Sequence, residues 1–276
     1  MAEYFHINYE FERQQVLERI DACCARWEKA GPGVTQPQRS EDGRSRGRNL
    51  PAGTIRDGAA YIVVADGNVL VQVHRDPDYR AIVQGAIFSI CDSGWVPLYL
   101  KRLYGFQPQQ YSGSDIFRDL TEAGKYRMAF LGASQEVLDA LRANLSQTDP
   151  RIAEMPFKAL PYADADGFDY ESIAADLNAT APDIIWVALG APKQEQFAAR
   201  LTPLLGRGVV IPVGAVFNFR AGQGIKRAPL WMINCHLEFV YRIFSEPRKQ
   251  LRRVWQILRY TPAILGEERG RRDSQA

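Results

Sequence analysis

The chain is poor in residues suited to metal or redox chemistry. Its 276 residues include four cysteines and three histidines. Cys23, Cys24, Cys91 and Cys235 form no CxxC pair, and His6, His74 and His236 are too dispersed for a zinc spacing, so no metal site is expected. Neighbouring Cys23 and Cys24 are badly placed to bridge one another, which fits a reducing, cytoplasmic setting. No apolar run reaches the ~18 residues of a membrane-spanning helix, and the N-terminus lacks the basic-then-apolar order of an export signal. Glycine fingerprints are missing too. There is no GxGxxG after the first strand and no GxxxxGK[ST], which argues against a dinucleotide oxidoreductase and against a P-loop NTPase. No GxSxG elbow supports a hydrolase.

What the chain does have is a sustained alternation of β-prone apolar runs and helix-forming segments. Strands are expected at residues 4–7, 61–65, 86–91, 126–131, 155–160, 184–189 and 209–213. Helices are expected at 10–30, 68–74, 96–104, 116–123, 136–145 and 170–179, with another opening at Pro192. Repeated βα units of this length imply an α/β fold: a Rossmann-like, mostly parallel sheet with right-handed crossovers and helices on both faces. Residues 31–58 are dominated by Gly, Pro, Arg and Ser, and are expected to form a flexible insertion in the catalytic domain, residues 1–226.

From Arg227 the character changes, and residues 227–276 are expected to form a helical appendage that associates with a membrane. Net charge over the whole chain is only +2, yet residues 220–276 hold twelve Lys and Arg against five Asp and Glu. That excess points to a phosphate-rich partner. After Pro247, Leu251, Val254, Trp255 and Leu258 form one stripe, with Arg248, Lys249, Arg252, Arg253 and Arg259 on the opposite arc. Such a basic amphipathic helix suits an anionic lipid surface, and the lack of interleaved aromatics argues against nucleic acid.

Acids recur where strands end. Asp66, Asp92 and, one loop later, Asp115 leave separate βα turns, which a parallel sheet delivers to one crevice. Asp92 directly follows a buried strand and is the candidate base; the other reading of such a carboxylate is a helix cap. The turn after residue 189 is Gly190-Ala-Pro-Lys193-Gln194-Glu195, again where a crevice opens. Asp164 and Asp166 have the DxD form of a cation-binding pair, but an ordinary Gly- and Asp-rich turn accounts for them better.

Four ordered segments resemble the WecG/TagA/CpsF glycosyltransferases: Val187-Ala-Leu-Gly-Ala-Pro-Lys-Gln-Glu195, Val213-Gly-Ala-Val-Phe-Asn-Phe-Arg-Ala-Gly222, Lys226-Arg-Ala-Pro-Leu-Trp231 and Leu237-Glu-Phe-Val-Tyr-Arg-Ile-Phe-Ser-Glu-Pro-Arg248. The resemblance runs from about Tyr61 to about Pro262. It implies a metal-independent, inverting transferase that takes a sugar from a UDP-sugar to a polyprenyl-pyrophosphate-linked saccharide at the cytoplasmic membrane face, with no cofactor. Asp92 falls on the position of the family's proposed base, followed here by Ser93 in place of glycine. Gln194 falls on a glutamine that lines the donor site, and Arg242, Lys249 and Arg252 fall near basic residues thought to hold pyrophosphate. Three further positions depart from the family: Val64 stands for a threonine, Gln110 for an arginine and Asn218 for an aspartate.

The candidate site follows from both readings. Asp92 is the expected base. Asp66, Asn68, Ser114, Asp115, Gly132, Gly190, Lys193, Gln194 and Asn218 are expected to bind donor or acceptor, and Arg227, Arg242, Arg248, Lys249 and Arg252 to meet phosphate or membrane. Helix N-termini after Gly132 and Gly190 would stabilise the departing UDP. A catalytically inactive, membrane-docked assembly protein and an oxidoreductase are the competing functions, and self-association is left open.

Overall fold

An apolar strand without alternation needs cover on both faces. The segment Ile184–Ala188 is such a strand, and its side chains divide between two layers. Ile185 and Val187 enter one apolar cluster, Ile184 and Trp186 the other. The computed structural model describes residues 1–30, 58–222 and 247–275, and in it helices flank parallel sheets on both sides.

In chain order the strands are β1 (Ala2–Tyr4), β2 (Ile7–Tyr9), β3 (Ala60–Tyr61), β4 (Val63–Ala65), β5 (Ser89–Cys91), β6 (Met128–Gly132), β7 (Phe157–Lys158), β8 (Ile184–Ala188) and β9 (Val209–Pro212). The helices are α1 (Arg13–Ala30), α2 (Gly67–Arg75), α3 (Pro77–Gln84), α4 (Val96–Tyr104), α5 (Gly113–Glu122), α6 (Gln135–Thr148), α7 (Tyr170–Thr180), α8 (Lys193–Leu201), α9 (Val216–Ala221) and α10 (Pro247–Gln275). One sheet runs β1-β2-β5-β4 and the other β3-β9-β8-β6-β7, with every pairing parallel except β1 to β2.

The alternation expected from sequence is present, with three corrections. The strand expected at residues 4–7 straddles a turn: Phe5 and His6 take positive φ, and β1 and β2 pair as a hairpin around them. The strand expected at 61–65 is shared between the sheets. Tyr61 pairs with β9, Val63 to Ala65 pair with β5, and the Ile62 N–H bonds Val210 O at 3.1 Å between them. A helix absent from the sequence reading, α3, is capped by Asp76, whose carboxylate accepts from Asp78 N and Tyr79 N. The helix expected to open at Pro247 is present and runs to residue 275, through Pro262. The insertion expected at 31–58 lies outside the described residues except for Gly58, and so does the boundary expected at 226.

Gly132 shows how tightly the strand ends are packed. Its φ is +97°, and a Cβ there would sit 2.6 Å from the Ala188 carbonyl oxygen on the neighbouring strand. Gly132→Ala therefore combines a left-handed backbone with a backbone clash, and is expected to cost at least about 2 kcal/mol of stability. Urea unfolding of the purified variant checks this; a loss under about 0.5 kcal/mol would contradict it.

Candidate active site

Loops leaving β4, β5, β8 and β9, together with the segment after β6, meet in one cleft of about 760 Å³. It lies beyond the carboxyl ends of the strands, where a parallel sheet places its crevice. The first turns of α2, α5, α8 and α9 and the N-cap of α6 all contribute to its wall. Their amide ends make that wall favourable for anions.

Asp66, Asp92 and Asp115 do converge on this cleft. Two of them are helix caps. Asp66 Oδ1 accepts from Asn68 N and Val69 N at 2.9 Å each, and Asp115 closes a capping box with Ser112, whose Oγ donates to Asp115 Oδ2 at 2.6 Å. Asp92 also meets a helix end, the first amide of α5, but reaches it from the loop of another strand. Its N–H donates to Ala65 O at 3.1 Å, its carbonyl accepts from Gln110 Nε2 at 2.8 Å, and its Oδ1 accepts from Gly113 N at 2.9 Å. Gln110, the residue that departs from the family's arginine, thus braces the loop. Ser93 is buried, and its Oγ accepts from Trp95 N at 3.3 Å. The adjacent Cys91 thiol is no nucleophile, since burial pushes its pKa up to about 12.

On the opposite wall, Gly190 takes φ +79° and α8 begins. Gln194 Oε1 accepts from Gly190 N at 3.0 Å, while its Nε2 donates to Glu195 Oε1 at 2.8 Å. Glu195 is fully buried, and desolvation raises its pKa to about 7 against the opposing hydrogen bond from Gln194. Lys193 lines the cleft but donates to Ala163 O at 2.8 Å and lies 5.0 Å over the Tyr162 ring. Asn68, Ser114 and Asn218 also line the cleft.

The remaining wall comes from α10. Arg253, Val254 and Ile257 face the cleft, with Arg253 Nη2 3.8 Å from Asp66 Oδ2. The far half of the helix is anchored: buried Glu268 accepts from Phe5 N at 2.9 Å and Tyr104 Oη at 2.7 Å, and Glu267 bridges His6 at 2.7 Å and His74 at 2.8 Å. Docking divides the stripe expected from sequence. Val254 turns to the cleft, whereas Leu251, Trp255 and Leu258 are exposed at 55%, 57% and 69%.

Several expected site residues lie elsewhere. Gly132 does not line the cleft; its part is the close strand approach described above. Arg252 is exposed and outside the cleft, and its neighbour Arg253, expected from sequence only on the basic arc that meets lipid, takes the place beside Asp66. Asp164 and Asp166 are also outside it, Asp166 pairing with Arg200 at 2.5 Å. No group of three metal-ligating side chains occurs among the described residues. Arg227 and Arg242 and the side chains of Arg248 and Lys249 lie outside the described residues. Trp95, Ala133 and Ser134 line the cleft without having been expected there, although Ala133 and Ser134 belong to the turn expected to lead into the helix at 136–145. Ser134 ends the β6 connection as the N-cap of α6, a signal that marks the helix start.

Comparison with known proteins matches residues 50–274 to the family described as Glycosyl transferase WecG/TagA/CpsF. An N-acetylglucosaminyldiphosphoundecaprenol N-acetyl-beta-D-mannosaminyltransferase of Bacillus spizizenii is 30% identical over 213 residues, covering 76% of this chain and 80% of that protein. The protein of the same name from Bacillus subtilis is 27% identical over 216 residues, covering 77% and 82%.

Proposed function

Since the chain belongs to the WecG/TagA/CpsF glycosyl transferase family and is a glycosyltransferase, we propose that its donor is a UDP-sugar and that it transfers with inversion to a polyprenyl-diphosphate-linked saccharide. The names of the Bacillus relatives support N-acetylmannosamine as the sugar moved and N-acetylglucosaminyl-diphosphoundecaprenol as the acceptor. The observation that carries the reading is the cleft itself, where a braced carboxylate at Asp92 faces a wall of helix N-termini.

In this scheme Asp92 takes the proton of the acceptor hydroxyl while that oxygen bonds to the anomeric carbon. The anomeric carbon–oxygen bond to UDP breaks on the opposite face, and UDP leaves with the electron pair. Inversion follows from the single displacement. The new charge on UDP meets the amide ends of α6, α8 and α9 and the Arg253 guanidinium. Asp66 and Asp115 are engaged as caps, which favours a reaction that draws on fixed donors in place of a cation.

We further propose that the exposed Leu251, Trp255 and Leu258, with Arg252 and Arg259 beside them, rest on the anionic cytoplasmic face of the membrane where a polyprenyl carrier is held. No helix among the described residues is long and apolar enough to cross a bilayer.

Incubation with a panel of UDP-sugars and a short-chain polyprenyl-diphosphate-linked N-acetylglucosamine, with products weighed by mass spectrometry, tests the reading. One added N-acetylhexosamine is expected, in excess EDTA as well as without it. Loss in EDTA restored by manganese would reject the cation-free scheme, and donor binding without any transfer would favour the docked assembly protein. Arg253→Ala is expected to raise the donor KM about tenfold, as for the loss of one charge-assisted phosphate contact, with kcat less affected. An unchanged KM would remove Arg253 from the donor site.

A further inference from the structure

Gln194 and Glu195 are neighbours on the first turn of α8 and both are buried, yet only Gln194 reaches the cleft. The orientation of its amide is dictated by its partners. The Gly190 N–H can only donate, so Gln194 Oε1 must face it. That leaves Gln194 Nε2 to face Glu195, whose Oε1 accepts from it at 2.8 Å. These two bonds use the amide oxygen and one of the two N–H donors, leaving the second donor on a residue of the cleft wall.

We propose that Glu195 is a positioning residue, holding the Gln194 amide so that its second N–H is presented to an oxygen of the bound sugar nucleotide. The inference rests on the transferase reading above and adds to it a group that never touches substrate.

The surroundings of Glu195 suit this role better than a purely structural one. Its Oε2 and the Tyr79 hydroxyl of α3 are both buried and face each other, and the hydroxyl's hydrogen bond to the carboxylate opposes the effect of burial, although the pair falls short of well-formed hydrogen-bond geometry. The charge that acts on it is that of Asp66 at the start of α2, which raises its pKa further. No ion pair to Glu195 occurs among the described residues. A carboxyl group kept only for packing would be fully hydrogen-bonded, or replaced by an apolar side chain of similar volume. This one is expensive to ionise, its contact with Tyr79 is loose, and its one well-formed bond goes to the cleft-lining amide.

The test compares Glu195→Ala and Glu195→Gln with the wild type in steady-state transfer and in calorimetric titration with UDP-N-acetylhexosamine, each variant first shown to be folded by circular dichroism. Glu195→Ala frees the Gln194 amide and is expected to lower donor affinity about tenfold, chiefly in KM. Glu195→Gln keeps a carbonyl oxygen to accept from Gln194 and is expected to recover all but about threefold of that loss. Donor affinity of the wild type is also expected to change near neutral pH, and that of Glu195→Gln to be flat there. Equal affinity in all three proteins, or a pH profile identical in wild type and Glu195→Gln, would overturn the inference while leaving the transferase reading intact. Should Glu195→Ala not fold, the pH comparison alone decides. A wild-type chain that neither binds UDP-sugar nor transfers would overturn the transferase reading and this inference with it.

Discussion

Asp92→Asn is expected to lower sugar transfer by about 10²–10⁴-fold, the range for losing a positioned general base, with donor affinity changed less than about threefold. The substitution is close to isosteric, and the bracing of the loop survives it. Asn can still accept from Gly113 N through its side-chain oxygen, and the bonds of the residue 92 backbone to Ala65 and Gln110 do not involve the side chain. Stability should therefore stay within about 1 kcal/mol of wild type. What Asn cannot do is take a proton from the acceptor hydroxyl. Single-turnover transfer at saturating donor, alongside calorimetric donor binding, separates the two effects. Transfer within tenfold of wild type would reassign the base, and Asp66, which also lines the cleft, would be the next candidate.

The convergence behind that prediction was legible in the sequence because it follows from strand ends. A buried run that stops at Asp66, Asp92 or Gly190 must be followed by a turn, and parallel strands put their turns on one edge. Trp186 beside Ile185 gave no alternation, which read correctly as a strand covered on both faces. The hairpin of β1 and β2 was hidden for a local reason: its turn uses Phe5 and His6 in a left-handed conformation usually reserved for glycine or asparagine. The helix α3 had its signal in Asp76-Pro77, a cap followed by proline at the first helical position, although both residues also suit a loop.

Arg253 was beyond the reach of periodicity. The phase of a helix names the residues that share a face, but not which face meets which neighbour. For α10 that choice is made by contacts some 160 to 265 residues away in sequence, where Glu268 meets Phe5 and Tyr104 and Glu267 meets His6 and His74. Those anchors turn Arg253 and Ile257 inward and leave Trp255 exposed. Ile257 packs so closely on α2 that a Cβ on Gly67 would come within 3.0 Å of its Cδ1. The burial of Glu195 was hidden in the same way, because a carboxylate on the first turn of a helix ordinarily reads as a solvated partner of the helix dipole.

That burial should appear in stability as well as in binding. The Glu195 carboxyl group titrates near its ordinary 4.5 in the unfolded chain and near about 7 in the folded one, where desolvation is the largest cause. Between those values the folded protein holds the extra proton, so stability falls as pH rises; the contribution is complete below about pH 4.5 and lost above about pH 7. A shift of this size corresponds to about 3 kcal/mol. Glu195→Gln does not titrate, so its stability relative to wild type should grow by about that amount between about pH 4.5 and pH 8, as measured by urea unfolding at both ends. A difference constant to within about 0.5 kcal/mol across the range would mean that Glu195 ionises normally in the folded protein. The variant expected to be the more stable at pH 8 is also the one expected to bind donor less well than wild type. Such an exchange of stability for binding is the mark of a charge retained for the site it supports and not for the fold.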